Sequence, residues 1–231
     1  MRVAALYDVH GMVHALEAVL ADVERERVDV IVFGGDIAAG PFPRETLTRV
    51  RELENARFIR GNADREGAAT PGSEFRRSRL DDDERAWLDA LPFSLVLDGV
   101  LYVHATPRSD EETVTPLTPD DELGEALVGV EQKIVVAGHT HMQDDRKVGG
   151  IRFVNAGSVG MPYEGDTDAR WAIVDRGEVE FRHTPIDVER ASEAILETGW
   201  PEAEAFVYEN LRSGGVDRDE AAEVFEGRRR K

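Results

Sequence analysis

Two short runs of branched apolar residues, "RVAALY" (2–7) and "VDVIVFGGD" (28–36), stand on either side of a stretch with helical periodicity. Runs of this kind suit strands buried on both faces. Between them Met12, Val13, Leu16, Val19, Leu20 and Val23 recur at the spacing of one helix face. A strand, a helix and a second strand within about thirty-five residues predict a right-handed parallel crossover. That unit commits the chain to an α/β fold. "RETLTRVREL" (44–53) reads as the next helix and "RFIRGN" (57–62) as the next strand. "DDDERAWLDAL" (81–91) opens with carboxylates suited to a helix N-terminus and stops at Pro92.

The second half changes style. "SLVLDGVLYVHA" is two alternating runs joined by Asp98-Gly99, a hairpin turn signal. Gly149-Gly150 and Arg176-Gly177 divide "DDRKVGGIRFVNAGS" and "RWAIVDRGEVEFRHT" in the same way. Hairpins after parallel units make the sheet structure mixed. From Asp187 onward the chain reads as two or three amphipathic helices ending in an exposed "GRRRK". Long loops are expected over 62–80 and 105–121, a length that is often functional.

Composition narrows the chemistry. With 231 residues and 41% hydrophobic content the chain can bury a sizeable core. It has no apolar run long enough to span a membrane, and Asp8 interrupts any signal-peptide core, so a cytoplasmic location without membrane contact is expected. The absence of cysteine excludes thiolate chemistry, leaving His, Asp, Glu and Asn to hold any metal. A net charge of −19 sets long nucleic acid aside as a partner. Association with further copies of the chain is left open.

The polar residues fall at the ends of the expected strands. Asp8 and His10 follow the first, Asp36 the second after two glycines, and Asn62 the third after one. His104 ends the strand 100–103, and His139 and His141 follow the strand 134–137. In open α/β sheets the carboxyl edge is where ligands bind. These seven groups suit two ions that share a carboxylate, and a donor set of N and O without thiolate favours Mn, Fe, Zn, Co or Ni. Asp-x-His and His-x-His spacing puts both members of each pair on one side of an extended chain.

"DVHG", "GGD", "GNAD", "VHATP" and "GHTH", taken in order, resemble the motifs of the calcineurin-like metallophosphoesterase superfamily. The likeness is greatest to its small bacterial and archaeal branch of single-domain phosphodiesterases. It runs from residue 2 to about residue 188 and includes "NAGSVGMP". The resemblance implies a four-layer αββα sandwich with two central mixed β-sheets over 1–188. Residues 189–231 would form a helical appendage packed on that core. It implies two divalent transition-metal ions, manganese first, with Asp8, His10 and His141 on one. Asn62, His104 and His139 would hold the other, and Asp36 would bridge them. Asp36, Asn62 and His104 are then catalytic as well as ligating. The implied reaction is hydrolysis of small phosphate esters, diesters foremost, by in-line attack of a hydroxide held between the ions.

Two positions depart from the wider family. Met12 stands where many members have Asn, outside the ligand set. Ala63 stands where the broader superfamily has a histidine that approaches the scissile phosphate. His14 and Arg108 are the candidate substitutes, the latter as a planar fork for a phosphate oxygen. His183, alternating with Phe181 on a hairpin strand, reads as structural or exposed. The readings left beside a phosphodiesterase are a phosphomonoesterase, a dinucleoside polyphosphate hydrolase and, from a different class, a non-catalytic protein-interaction scaffold on the same fold.

Overall fold

The computed structural model describes residues 1–65, 67 and 69–229. Among these residues ten strands form two five-stranded sheets. The first sheet contains β1 (Arg2–Leu6), β2 (Val30–Phe33), β3 (Ala56–Phe58), β9 (Ala169–Asp175) and β10 (Glu178–Thr184), in the order β10-β9-β1-β2-β3. The second contains β4 (Ser94–Leu97), β5 (Val100–Val103), β6 (Ile134–Ala137), β7 (Asp144–Val148) and β8 (Ile151–Asn155), in the order β4-β5-β6-β8-β7. β1, β2 and β3 are parallel, as are β5, β6 and β8, and the three hairpins lie antiparallel at the flanks. Both sheets are therefore mixed.

Strand alternation sorts side chains into layers. In β1, Ala4 and Leu6 face a helical layer with Leu16, Val19 and Leu47, while Val3 and Ala5 face the other sheet. In β5, Val100 and Tyr102 face the first sheet, and Leu101 and Val103 pack outward with Leu123 and Leu127. Helices thus cover both outer faces, giving the four-layer α/β sandwich. The outer helices are α1 (Val13–Glu26), α2 (Pro43–Arg51), α4 (Asp82–Asp89) and α6 (Val188–Glu197) on one side and α5 (Asp120–Ala126) on the other. The Tyr7 hydroxyl donates to the Val136 carbonyl at 2.8 Å, pinning sheet to sheet near the ends of β1 and β6.

Three expectations need correction. The stretch 62–80 contains α3 (Pro71–Arg79), started by a Thr70–Ser73 capping box. The stretch 105–121 is irregular only until α5 begins at Asp120. The basic tail is not simply exposed: α8 (Arg218–Arg229) reaches into it, and Arg229 pairs with Glu226 and Glu122. Arg230 and Lys231 lie outside the described residues. Before α8 the chain forms α7 (Ala203–Phe206), which continues as a π-helical turn, Val207–Arg212. Among the described residues no helix is long and apolar enough to cross a membrane.

Ile195, Trp200, Phe206 and Leu211 belong to the same buried cluster as Leu6, Leu16 and Phe33. Ile195→Ala should therefore lower global stability by about 2–5 kcal/mol, the range for truncating a fully buried aliphatic side chain. Denaturant unfolding followed by far-UV circular dichroism would measure it. A loss below about 0.5 kcal/mol would show that α6 contributes little to the common core.

Candidate metal centre

The seven strand-end residues converge because loops from both sheets are tied together at one end. The Asp8 amide donates to the Gly35 carbonyl and the His10 amide to the Asp36 carbonyl, joining the loops after β1 and β2. The Gly138 amide donates to the His104 carbonyl, joining the loops after β6 and β5. Asp8, His10, Asp36, His139 and His141 all have left-handed backbones, with φ between 49° and 70°. The other non-glycine residues of this kind, Arg27, Asp98 and Arg176, sit at a helix end and in hairpin turns. Such a conformation costs roughly 1 kcal/mol or more per residue and persists only where surrounding contacts over-determine it. Here it turns five side chains back toward a common point. Close approach demands glycine as well: a Cβ at Gly61 would lie 2.1 Å from Asp36 Oδ1, and one at Gly138 would lie 2.4 Å from Asp8 Oδ2.

The hydrogen positions follow from the partners. His10 Nδ1 faces the Ala39 carbonyl at 3.3 Å and His141 Nδ1 faces the Met161 carbonyl at 2.9 Å. A carbonyl only accepts, so each Nδ1 carries the proton and each neutral ring presents a lone pair at Nε2. Those two Nε2 atoms are 3.1 Å apart. His104 Nδ1 likewise donates to the Gly34 carbonyl at 2.8 Å, leaving Nε2 to face Asn62 Oδ1 at 2.9 Å. Asp8 Oδ1 is buried without a hydrogen-bond donor, 3.5 Å from His141 Nε2 and 3.9 Å from His104 Nε2. Asp36 Oδ2 lies 3.7 Å from His10 Nε2 and 3.5 Å from His104 Nε2. Acceptors face acceptors throughout, an arrangement that requires protons or cations between them.

The ionisation pattern agrees. Burial opposes charge at Asp36 and Asp8, yet the neighbouring imidazoles, His104 for the first and His141 for the second, hold both carboxyls below their ordinary range. Burial alone would lower His104, but Asp36 and Asp8 outweigh it and push the imidazole up to about 10. His139, desolvated and beside His104, falls to about 4. In the absence of cations the cluster thus concentrates positive charge on one ring.

Among the described residues, two groups of side chains are tight enough to chelate an ion. Asp8, His10 and His141 bring ligand atoms within 4.8 Å of one another, and so do Asp8, Asp36 and His104. Asn62 meets the second group through His104. His139 joins neither, but its amide donates to Asp8 Oδ2 at 2.8 Å and its ring packs edge-on to His104. Burial, orphaned acceptors and an N/O donor set all fit divalent transition metals.

A calcineurin-like phosphoesterase superfamily domain matches residues 1–178. The chain belongs to this superfamily. A metallophosphoesterase from Sphaerobacter thermophilus superposes with a TM-score of 0.79 at 27% identity, covering 94% of this chain and 100% of that one. A hypothetical protein from Pyrococcus horikoshii OT3 does so at 0.75 and 21% identity, covering 89% and 97%. An uncharacterized protein of Methanocaldococcus jannaschii is 24% identical over 239 residues, 87% of this chain and 94% of its own length.

In this member of the superfamily the supports of the site include residues outside the proposed ligand set. Asp64 is buried and accepts from the amides of Asp36, Ile37 and Gly61 at 2.8–2.9 Å. Burial and the charge of Asp36 raise its carboxyl to about 6 against those donors. Arg76 reaches the Ala63 and Arg65 carbonyls, fastening the loop after Asn62. "NAGSVGMP" works as a buckle: Asn155 Nδ2 donates to the Gly138 carbonyl, Ser158 Oγ to the Asp8 carbonyl, and Met161 supplies the acceptor for His141. A sequence signal existed for Asp64 and Asn155, since a buried polar residue inside a Gly-rich turn commonly bonds its own backbone.

The two candidate substrate contacts lie elsewhere. His14 packs on Phe42 and is lowered by burial and by Arg190, so it faces the start of α6. α1 begins only at Val13, after the loop that aims His10, and His14 sits in its first turn. Arg108 is clamped by Glu112, four residues on, in a recess with Thr113 and Glu122. Neither lines the cleft that opens from the metal centre. That cleft, of about 640 Å³, runs from His10, Asn62 and Ala63 past Arg65 and Arg76 to Trp200, Phe206, Glu209 and Asn210. His183 is exposed and bonds Asp168 at 2.9 Å.

Asp64→Asn replaces one acceptor oxygen by a donor that must face backbone N–H groups. It should cost roughly 3 kcal/mol, as expected for a buried charge-assisted hydrogen bond lost with its partner left unpaired. Metal affinity should fall too, because Asp36 and Asn62 lose their shared anchor. Thermal denaturation with and without added manganese would register both changes, and wild-type behaviour in both would show Asp64 to be dispensable.

Proposed function

We propose that the chain hydrolyses phosphate esters, diesters foremost, with a pair of divalent transition-metal ions held by seven side chains. Manganese is the first candidate, with iron, zinc, nickel or cobalt as alternatives. The observation that carries this reading is the set of buried lone pairs aimed at one another: Nε2 of His10, His104 and His141 with Asp8 Oδ1 and Asp36 Oδ2. Asp8, His10 and His141 would hold one ion and Asn62, His104 and His139 the other. Asp36, whose Oδ2 stands between His10 and His104, would be shared. The chemistry supplied by such a pair is Lewis acidity toward phosphate oxygens and a nucleophile from water at neutral pH.

The protein's own part is positioning. Asp36 Oδ1 is fixed by the Ala63 amide at 2.7 Å, so the shared carboxylate and the loop at the leaving-group side move together. The cleft leaves room for a second ester arm beyond Asn62. Its guanidinium groups are engaged: Arg65 with Asp110 and Glu111, Arg76 with two carbonyls. Among the described residues His10 is the sole histidine of the cleft, and it is assigned to metal. No imidazole is left to protonate a departing oxygen.

Metal-stripped protein should regain aryl phosphodiester hydrolysis with manganese, and elemental analysis should approach two equivalents per chain. Asp36→Asn and His139→Ala should each lower occupancy and abolish turnover; full activity in Asp36→Asn would remove the assignment.

The alanine at position 63 gives a second expectation. General-acid assistance is typically worth ~10²–10⁴-fold, so alkyl diesters should be hydrolysed far more slowly than p-nitrophenyl diesters. The rate should depend steeply on leaving-group pKa, and Ala63→His should flatten that slope. Equal rates on aryl and alkyl esters, with chemistry rate-limiting, would mean that another group supplies the proton.

A further inference from the structure

The helix α8 lies beyond the part of the chain that matches the superfamily, yet it grips the segments that hold His141. His141 Nδ1 donates to the Met161 carbonyl at 2.9 Å, and the His141 carbonyl accepts from the Tyr163 amide at 3.2 Å. The Tyr163 ring covers the imidazole, with centroids 4.9 Å apart. Residues 161–163 therefore set both the direction of the ring and the nitrogen that carries its proton.

Arg218 bridges the two segments just past that contact. Its Nη1 donates to both carboxylate oxygens of Glu164 at 2.7–2.8 Å, and its Nη2 donates to the Gln143 carbonyl at 2.7 Å. The Gln143 amide donates to Glu164 in turn, which closes the bracket. A planar fork suits two acceptors at a fixed separation, whereas an ammonium meets them one at a time. Arg218 is also the first residue of α8, where the helix dipole disfavours a cation. Its partners explain its place, and the helix does not.

The rest of the segment keeps Arg218 in register. Met142 is fully buried against Ala221 and Ala222. Glu226 accepts from the hydroxyls of Thr115 and Thr118 at 2.8 and 2.7 Å, next to Val114, whose carbonyl accepts from the Thr140 hydroxyl. The approach to α8 requires glycine: Gly215 has a φ of 95°, and a Cβ there would lie 2.1 Å from the Asp166 carbonyl oxygen. α8 thus reaches Met142 and Gln143 directly, and Thr140 through one loop.

We propose that Arg218 is a positioning residue for His141, so that α8 sets the affinity of the ion assigned to Asp8, His10 and His141. The inference rests on reading the cluster as a metal centre, and its readout is binding, not turnover. Calorimetric titration of metal-free protein with manganese would follow the two ions. Arg218→Ala should weaken one of them by about tenfold or more, the usual effect of losing a group that orients a metal ligand, and leave the other within about threefold. Arg218→Lys should recover part of the loss. In a His141→Ala background the same substitution should cost nothing further, because the residue through which it acts is gone. Where Arg218→Ala fails to fold, Glu164→Gln should show a smaller loss confined to the same ion, since it keeps an acceptor for the Gln143 amide. Unchanged affinities, an equal loss for both ions, or the full loss repeated in the His141→Ala background would each overturn the role of Arg218 and leave the metal reading standing. No manganese binding by the wild type would remove the metal reading and this role with it.

Discussion

The structure turns on the repulsion between lone pairs at the metal centre. Two neutral imidazole Nε2 atoms, 3.1 Å apart, and two carboxylate oxygens converge beside His104, the one ring that carries positive charge when no cation is bound. One charged ring cannot offset all of these contacts. The surrounding fold must supply the restraint until cations offset the repulsion. That demand explains why so much of the molecule's hydrogen bonding is spent around one end of two sheets. Asp64 accepts three amides, Tyr7 ties one sheet to the other, and "NAGSVGMP" fastens the loops of Asp8 and His141 together. Five left-handed backbones persist within that frame because no single contact could relax without displacing a neighbouring ligand.

The parts of the fold that were legible in the sequence are those where one periodicity dominates. β1, α1 and β2 are recognisable because both strands are apolar on both faces and the helix has one clean stripe. The hairpins are marked by glycine turns. The residues gathered at the candidate site were legible for a related reason: at the strand ends an isolated Asp or His breaks an apolar run without a helical period. α3 was not legible, since "PGSEFRRSR" carries a single apolar residue, Phe75, and no stripe. It is held by its capping box and by the nearly buried Arg76, whose partners are backbone carbonyls of a loop more than ten residues earlier. Contacts of that kind leave no mark on local composition.

His14 and Arg108 show the same limit from the other side. Each is close in sequence to a ligand, and in each case local geometry overrides that closeness. The left-handed conformation of His10 and the turn before Val13 separate its direction from that of His14. Glu112, one helical turn's distance along the chain from Arg108, captures the guanidinium before it could reach a phosphate. On a chain with net charge −19, an arginine commonly finds a carboxylate nearby. Under the proposed function, free cations for a phosphate are therefore scarce in the cleft, and bound metal ions would carry more of the neutralisation.

That division of labour bears on how such a chain acquires specificity. The superfamily match ends at residue 178, whereas Trp200, Phe206, Glu209 and Asn210 share a cleft with His10 and Asn62. The matched part holds every proposed ligand, under constraints that tolerate little change: a methyl group at Gly61 would already collide with Asp36. Of the helical segment beyond it, α6, α7 and the π-helical turn meet no such demand, because their buried residues need only be apolar and fill the space beside Leu16 and Leu47. Residues on their cleft-facing side can therefore change without disturbing the metal centre. Under the proposed function, a chain built this way could keep one hydrolytic chemistry while those C-terminal helices alter which ester arm is accepted.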